Sequence, residues 1–235
     1  MAGGDFTFKQ FSIRQDRCAM KVGTDGVLLG AWADVEGCRT LLDAGTGTGL
    51  VALMAAQRAP EAAITAIDID EAAVTQAAGN VTASPFAARI TVRQGDMRTF
   101  DCRSPFDGIL CNPPYFSRSL HCPDSARTTA RHDDTLSLDA LATAAARLLT
   151  PDGTLSVVLP TERSADMVMA AATQGLFLKR ETKVYTLPTK QPKRVLMAFA
   201  RHCPDCKSET LCIEDTPGTY SPAFIALMKD FYLKM

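Results

Sequence analysis

No apolar run among these 235 residues approaches the roughly 20 that a membrane helix needs, so no segment is expected to cross a bilayer. The start, Met1-Ala2-Gly3-Gly4-Asp5, lacks a basic stretch followed by an apolar one, and no secretion signal is expected. Neither sign of charge is in excess. Lys and Arg number 25 against 26 Asp and Glu, a net charge of -1, so the chain as a whole is no polycation. Internal repeats and low-complexity linkers are absent too, which leaves one domain over residues 1–235: an extension (1–39), a core (40–201) and a second extension (202–235). A disulfide framework is missing as well. The eight cysteines are irregularly spaced and several sit inside apparent strands or helices, a pattern that suits reduced thiols and a cytoplasmic protein. Cys203-Pro204-Asp205-Cys206, with His202 before it and Cys212 after, has no second Cys-x-x-Cys pair. Pro204-Asp205 reads as a turn, and no metal is expected.

What is present is ordinary for a folded soluble protein: 46% hydrophobic and 22% charged residues, enough for one α/β domain with a substantial core. Charge is unevenly placed. Residues 31–115 hold 6 Lys and Arg against 10 Asp and Glu, a balance of -4, and residues 116–201 hold 12 against 8, a balance of +4. An acidic half suits a cationic small molecule and a basic half suits a polyanion, although solvated helix faces produce imbalances of this size without any partner.

Strands and helices alternate. Strands are expected at 40–43, 63–68, 89–93, 106–111 and 154–159, and helices at 50–57, 71–81, 138–149 and 163–173. Asp70 is placed to cap the second of these helices. Pro151-Asp152-Gly153 reads as a turn. Residues 177–187 and 194–201 look like two strands with no helix between them, an antiparallel pair at one edge of a doubly wound parallel sheet. Phe6 to Ile13 alternates apolar and polar residues, as one half-exposed strand would.

Chemistry begins at the first strand-to-helix turn, Asp43-Ala44-Gly45-Thr46-Gly47-Thr48-Gly49. A phosphate-cradling loop needs Gly-Lys-Ser/Thr after its glycines, and here Leu50 and Val51 follow. A dinucleotide turn wants its third glycine one position later, and Asp43 would repel a pyrophosphate. S-adenosylmethionine has no phosphate, carries a sulfonium and an ammonium, and tolerates that carboxylate. On this reading Asp43, Gly45, Gly47 and Gly49 hold the cofactor. Asp68 ends the next strand 19 residues after Gly49, where a carboxylate accepts from both ribose hydroxyls. Asp96, in Gln94-Gly95-Asp96-Met97, is placed to accept from the adenine amino group, with Met97 as an apolar wall. A helix N-cap is the competing role for either acid.

The tetrad Asn112-Pro113-Pro114-Tyr115 ends the strand Phe106 to Cys111. The Asn112 side-chain oxygen and the Pro113 carbonyl are acceptors that converge on a planar NH2 group. Proline has no N–H, so this backbone offers only acceptors. Tyr115 supplies a ring for stacking. Read without its surroundings, the tetrad is also a rigid turn.

The series Asp-x-Gly-x-Gly-x-Gly, strand-end Asp68, Gly-Asp96 and Asn-Pro-Pro-Tyr resembles the Rossmann-like S-adenosylmethionine-dependent methyltransferases that act on planar amino groups: adenine N6 in DNA or RNA, guanine N2 in ribosomal RNA, and the glutamine amide of release factors. The resemblance spans residues 40–160 and implies a seven-stranded sheet with an antiparallel last hairpin. Outside that core, Phe8-Lys9-Gln10-Phe11, the run Met20-Lys21-Val22-Gly23-Thr24-Asp25-Gly26-Val27-Leu28-Leu29-Gly30, Ala130-Arg131-His132, Lys193-Arg194-Val195-Leu196, Tyr220 and Asp230-Phe231-Tyr232-Leu233 are similar to the bacterial tRNA1(Val) adenine N6-methyltransferase family. That likeness implies tRNA as the partner and places Lys21, Gly23 and Thr24 beside the cofactor. Arg131 and His132 then fall on the RNA side. Lys190, Lys193 and Arg194 form a small basic cluster that either touches phosphates or is merely solvated. A release-factor enzyme would need an N-terminal helical substrate domain, and only about 39 residues precede the first core strand. A non-catalytic RNA-binding subunit that keeps the fold is a third class, opposed by the intact tetrad and glycine turn. No obligate protein partner is inferred.

Overall fold

A strand covered by helices on both faces meets no water on either side, so it needs apolar residues throughout. Val195 to Ala200 shows the pattern, all six residues being buried. The computed structural model describes residues 5–16, 21–113, 136–202 and 205–235. Two short strands, β1 (Phe6–Thr7) and β2 (Ser12–Ile13), open the chain, followed by α1 (Thr24–Trp32), β3 (Thr40–Ala44), α2 (Leu50–Arg58), β4 (Ala63–Asp68), α3 (Glu71–Thr82), β5 (Ile90–Gln94) and β6 (Phe106–Cys111). Then come α4 (Leu138–Leu148), β7 (Leu149–Pro160), α5 (Ser164–Thr173), β8 (Phe177–Tyr185), β9 (Arg194–Ala200), β10 (Lys207–Cys212), β11 (Glu214–Thr216), β12 (Thr219–Tyr220) and α6 (Pro222–Met228).

The main sheet runs β10-β8-β9-β7-β6-β3-β4-β5. Strands β3 to β7 are mutually parallel, and β9 is antiparallel to both its neighbours. Because side chains alternate along a strand, each strand feeds two cores. Leu41, Leu196 and Ala198 join one cluster with α1 and α2, while Leu42, Val195, Met197 and Phe199 join the other with α4 and α5. After β3 the chain moves outward to β4 and β5, then returns to place β6 on the other side of β3. The carboxyl ends of β3 and β6 therefore flank the switch point, the place where open α/β sheets bind ligands.

The doubly wound sheet and its antiparallel edge pair are as expected, with three differences. Residues 6–13 form a hairpin instead of one strand. The Phe8 N–H donates to the Phe11 carbonyl at 2.8 Å, and the two rings stack at 4.7 Å, both buried, so apolar contact across a turn outweighs the alternation. At the start of β7, Phe106 faces Leu149 and Gly108 faces Thr154, so Pro151-Asp152-Gly153 bulges out of a strand that continues past it. A side-chain carbon at Gly153 would stand 2.9 Å from the Phe106 carbonyl oxygen. Lastly, the seven strands gain an eighth: β10 pairs parallel with β8. Its anchor is polar and invisible to periodicity. Glu209 accepts from Arg180 (2.9 Å) and Thr182 (3.0 Å), and the Trp32 indole N–H donates to the same Thr182 hydroxyl (2.8 Å). Burial would raise the Glu209 pKa, but hydrogen bonds from Lys207, Arg180 and Thr182 hold it down at about 2.

Candidate active site

The turn after β3 depends on positive φ. Gly45, Gly47 and Gly49 sit at 74°, 56° and 83°, where a side chain would be strained. The Gly45 and Thr46 N–H groups both donate to the Ile67 carbonyl at 2.9 Å, which fastens the loop to the end of β4. Asp43 is buried and is not among the residues lining the cavity. One of its oxygens, Oδ2, accepts from the Thr46 hydroxyl at 2.6 Å and from the Ala52 N–H at 3.0 Å, tying the loop to the first turn of α2. Burial pushes its pKa up to about 7, opposed by those two hydrogen bonds and reinforced by the charge of Asp68. Expected among the cofactor ligands, Asp43 shapes the loop through these two hydrogen bonds.

Asp68 does face the cavity. Its Oδ2 accepts from Gly47 N–H at 2.8 Å and its Oδ1 from Asp70 N–H at 3.0 Å. A carboxylate has about four acceptor positions, so capacity for two hydroxyls remains. Asp70 is the N-cap of α3, accepting from Ala72 N–H at 3.0 Å. Asp96 is clasped by Arg98, whose Nε lies 2.8 Å from one carboxylate oxygen and 3.0 Å from the other. The Arg98 hydrogen bonds lower the Asp96 pKa against a smaller opposing effect of burial. Arg147 donates to the Phe100 carbonyl at 2.7 Å and to the Met97 carbonyl at 3.3 Å, fixing this loop from α4.

These elements enclose a cavity of about 240 Å³ at the switch point. Of the residues anticipated, Gly45, Gly47, Asp68, Asp96, Met97, Asn112 and Pro113 line it. Gly49 does not; it starts α2 and packs on α3, where a side-chain carbon would lie 3.4 Å from Ala77. Lys21, Gly23 and Thr24 are also outside the lining, but α1, which they lead into, runs beside it: a carbon added at Gly26 would be 3.9 Å from the Asn112 amide nitrogen. Pro114, Tyr115, Arg131, His132 and Cys203 lie outside the described residues. Lys190 and Lys193 are exposed on the turn between β8 and β9, whereas Arg194 is engaged with Asp25 at 2.7 Å. Among the described residues no cluster of His, Cys, Asp and Glu could hold a metal ion.

Sequence reasoning missed Ile69, Arg98, Cys111 and Leu136 in the lining. Ile69 carried a signal. It is an isoleucine between the strand-end Asp68 and the helix cap Asp70, and it is left 54% exposed in the cavity lining, where it can cover a flat ring. Cys111 carried none. Burial, with the charges of Asp43 and Asp68, raises its pKa well above the ordinary thiol value, so it stays protonated and is no nucleophile. The residue set fits S-adenosylmethionine: Asp68 for two hydroxyls, Asp96 for a ring amino group, Ile69 and Met97 for the ring, and a glycine loop with no lysine for a phosphate.

The description "Methyltransferase small domain" matches residues 23–188. A "tRNA1(Val) (adenine(37)-N6)-methyltransferase" of Phocaeicola vulgatus is 53% identical over 98% of this chain and 98% of its own. The chain belongs to the tRNA1(Val) (adenine(37)-N6)-methyltransferase family. A Yersinia pestis member is 44% identical over 99% of this chain and 95% of its own. The fold of this family member is shared with a predicted O-methyltransferase from Agrobacterium tumefaciens, at a TM-score of 0.68 and 18% identity over 88% of this chain and 96% of that one. It is also shared with the glycopeptide N-methyltransferase MtfA complexed with S-adenosylmethionine, at 0.55 and 13% identity over 77% and 100%.

Proposed function

We propose that this protein uses S-adenosylmethionine to methylate N6 of an adenine in the tRNA anticodon loop, adenine 37 of tRNA1(Val). The observation that carries the reading is the placement of Asn112 and Pro113 at the end of β6, lining the same cavity as Asp68 and Asp96. When bound, S-adenosylmethionine supplies a methyl group already activated on a sulfonium. Asp68 would hold the ribose hydroxyls, Ile69 and Met97 the adenine faces, and Asp96 the amino group of that ring.

The acceptor base leaves its stack to reach the cavity. The Asn112 side-chain oxygen and the Pro113 carbonyl accept its two amino hydrogens, which turns the nitrogen lone pair toward the methyl donor. Each of those hydrogen bonds contributes about 0.5–1.5 kcal/mol, and stacking on Tyr115 about 1–3 kcal/mol. Neither accounts for much of the acceleration. Holding two reactants in line, worth roughly 7–11 kcal/mol at best, is the larger effect.

The turn between β8 and β9 stands on the carboxyl rim of the sheet, since β8 runs parallel to β7 through the intervening antiparallel β9. That rim is the cavity side, which supports a role for Lys190 and Lys193 in holding phosphates that flank the base. The chain works as one methyltransferase domain, with residues 1–39 and 202–235 as extensions, in the cytoplasm with tRNA as its partner. Among the described residues no helix is long and apolar enough to cross a membrane. The test gives radiolabelled cofactor to total tRNA, duplex DNA and a release factor in parallel. Label confined to tRNA, on N6 of adenine 37, is expected; label in DNA or release factor with none in tRNA defeats the substrate assignment.

A further inference from the structure

Helix α1 reaches the acceptor side of the cavity with its residues Gly26 to Trp32 buried but with no side-chain cap at its start. Gly23 at its N-cap has no side chain to accept the first-turn N–H groups. Its glycine face nevertheless lies close on its neighbours. A side-chain carbon at Gly26 would be 3.2 Å from Leu50 at the head of α2 and 3.9 Å from the Asn112 amide nitrogen, and one at Gly30 would be 2.8 Å from Met54.

The first turn is tied to the sheet by an ion pair on the face where α1 packs. Asp25 Oδ2 accepts from Arg194 Nε at 2.7 Å. Arg194 opens β9 opposite Pro160 at the end of β7. The turn before it is tied to the residue that follows β7, because Thr161 donates its N–H to the Lys193 carbonyl at 3.3 Å and its hydroxyl to the Pro192 carbonyl at 3.0 Å. At its other end α1 is held through Trp32, whose indole donates to Thr182 and lies 4.4 Å beneath the Arg180 guanidinium. So α1 is a bar fixed at both ends to β8 and β9, with Asn112 against its first turn.

We propose that Asp25 and Arg194 are a positioning pair: their ion pair presses the first turn of α1 against Asn112, sets the direction of the amide that receives the acceptor amine, and links that amide to the Lys190–Lys193 turn. The inference rests on the functional reading above. It assigns Arg194 a role in orientation, where sequence alone left it between a phosphate contact and a solvated charge.

The test measures kcat, the tRNA KM and the Kd for S-adenosylmethionine in wild type, Asp25→Asn, Arg194→Gln, the double variant and Arg194→Lys. Small misplacements of reacting groups cost up to about a hundredfold in rate. Each neutralising single variant is therefore expected to lose about ten- to a hundredfold in kcat, with KM and Kd within about twofold. The double variant should lose no more than either single one, because the two act as a unit. Arg194→Lys keeps a charge within reach of Asp25 and should recover at least about a third of wild-type kcat. Unchanged kcat in the neutralised variants, losses that multiply in the double variant, or a rise in tRNA KM alone would each overturn the pairing. A fall of kcat and cofactor affinity in step, or no recovery with lysine, would reduce it to a structural contact and also overturn it. Wild-type protein that labels no tRNA defeats the functional reading; active wild type with indifferent variants defeats only this inference.

Discussion

Replacing Asp43 by asparagine should change the pH dependence of stability in a defined direction. The native carboxyl, sealed between the glycine loop and α2, keeps its proton up to about pH 7, while the unfolded side chain releases it near 3.8. Between those values the folded form binds the extra proton. This group therefore favours folding at low pH and disfavours it progressively as pH rises through 7. The full difference is about 4 kcal/mol, of which about 2–3 kcal/mol is expressed between pH 5 and pH 8. Both structural hydrogen bonds fall on the single oxygen Oδ2, so an asparagine carbonyl oxygen placed there accepts from Thr46 and Ala52 alike. The substitution removes the charge and keeps the geometry. Urea unfolding of both proteins at pH 5, 6, 7 and 8 isolates the effect, since every other titrating group is common to the two. Relative to wild type, Asp43→Asn should gain about 2–3 kcal/mol on going from pH 5 to pH 8. A difference constant within about 0.5 kcal/mol, or one that shrinks with pH, would show that the buried carboxyl does not titrate as its surroundings dictate.

Three further outcomes follow from the cavity and its supports. Asn112→Ala should leave the Kd for S-adenosylmethionine within about twofold while single-turnover methyl transfer collapses by about a hundredfold or more, since this residue addresses the acceptor amine. Asp68→Ala removes the proposed acceptor for two hydroxyls together with the anchor of Gly47, and calorimetry should show cofactor binding weakened by about 2–4 kcal/mol. Joint replacement of Lys190 and Lys193 by glutamine should raise the tRNA KM and lower the slope of log affinity against log salt by about 1.5, with cofactor binding spared; an unchanged slope would remove both residues from the RNA contact.

Much of the frame is written locally. The glycine turn, the Asp70 cap and the run of apolar strands depend on backbone conformation and on side-chain period, both properties of neighbouring residues. For the same reason Gly45, Gly47, Asp68, Asp96, Met97 and Asn112 could be placed in the cavity beforehand: each ends a strand or opens the turn after one, and in a parallel sheet those ends meet on one rim.

Long-range partners were decided by tertiary structure. Asp43 is the short-range exception: it stands at a strand end like Asp68, yet Thr46 three residues on and Ala52 nine residues on draw its carboxylate inward. Arg194 reads as one of three basic residues in a row of turn and strand, but Asp25, 169 residues away in the chain, engages it. The eighth strand is held by Arg180, Thr182 and Trp32 through Glu209, charged and polar contacts that leave no mark on hydrophobic period. Sequence alone specifies conformations whose energies are set within a few residues. Which carboxylate is buried, which arginine is paired and which helix leans on Asn112 depend on distances that exist only once the sheet has closed around its two cores.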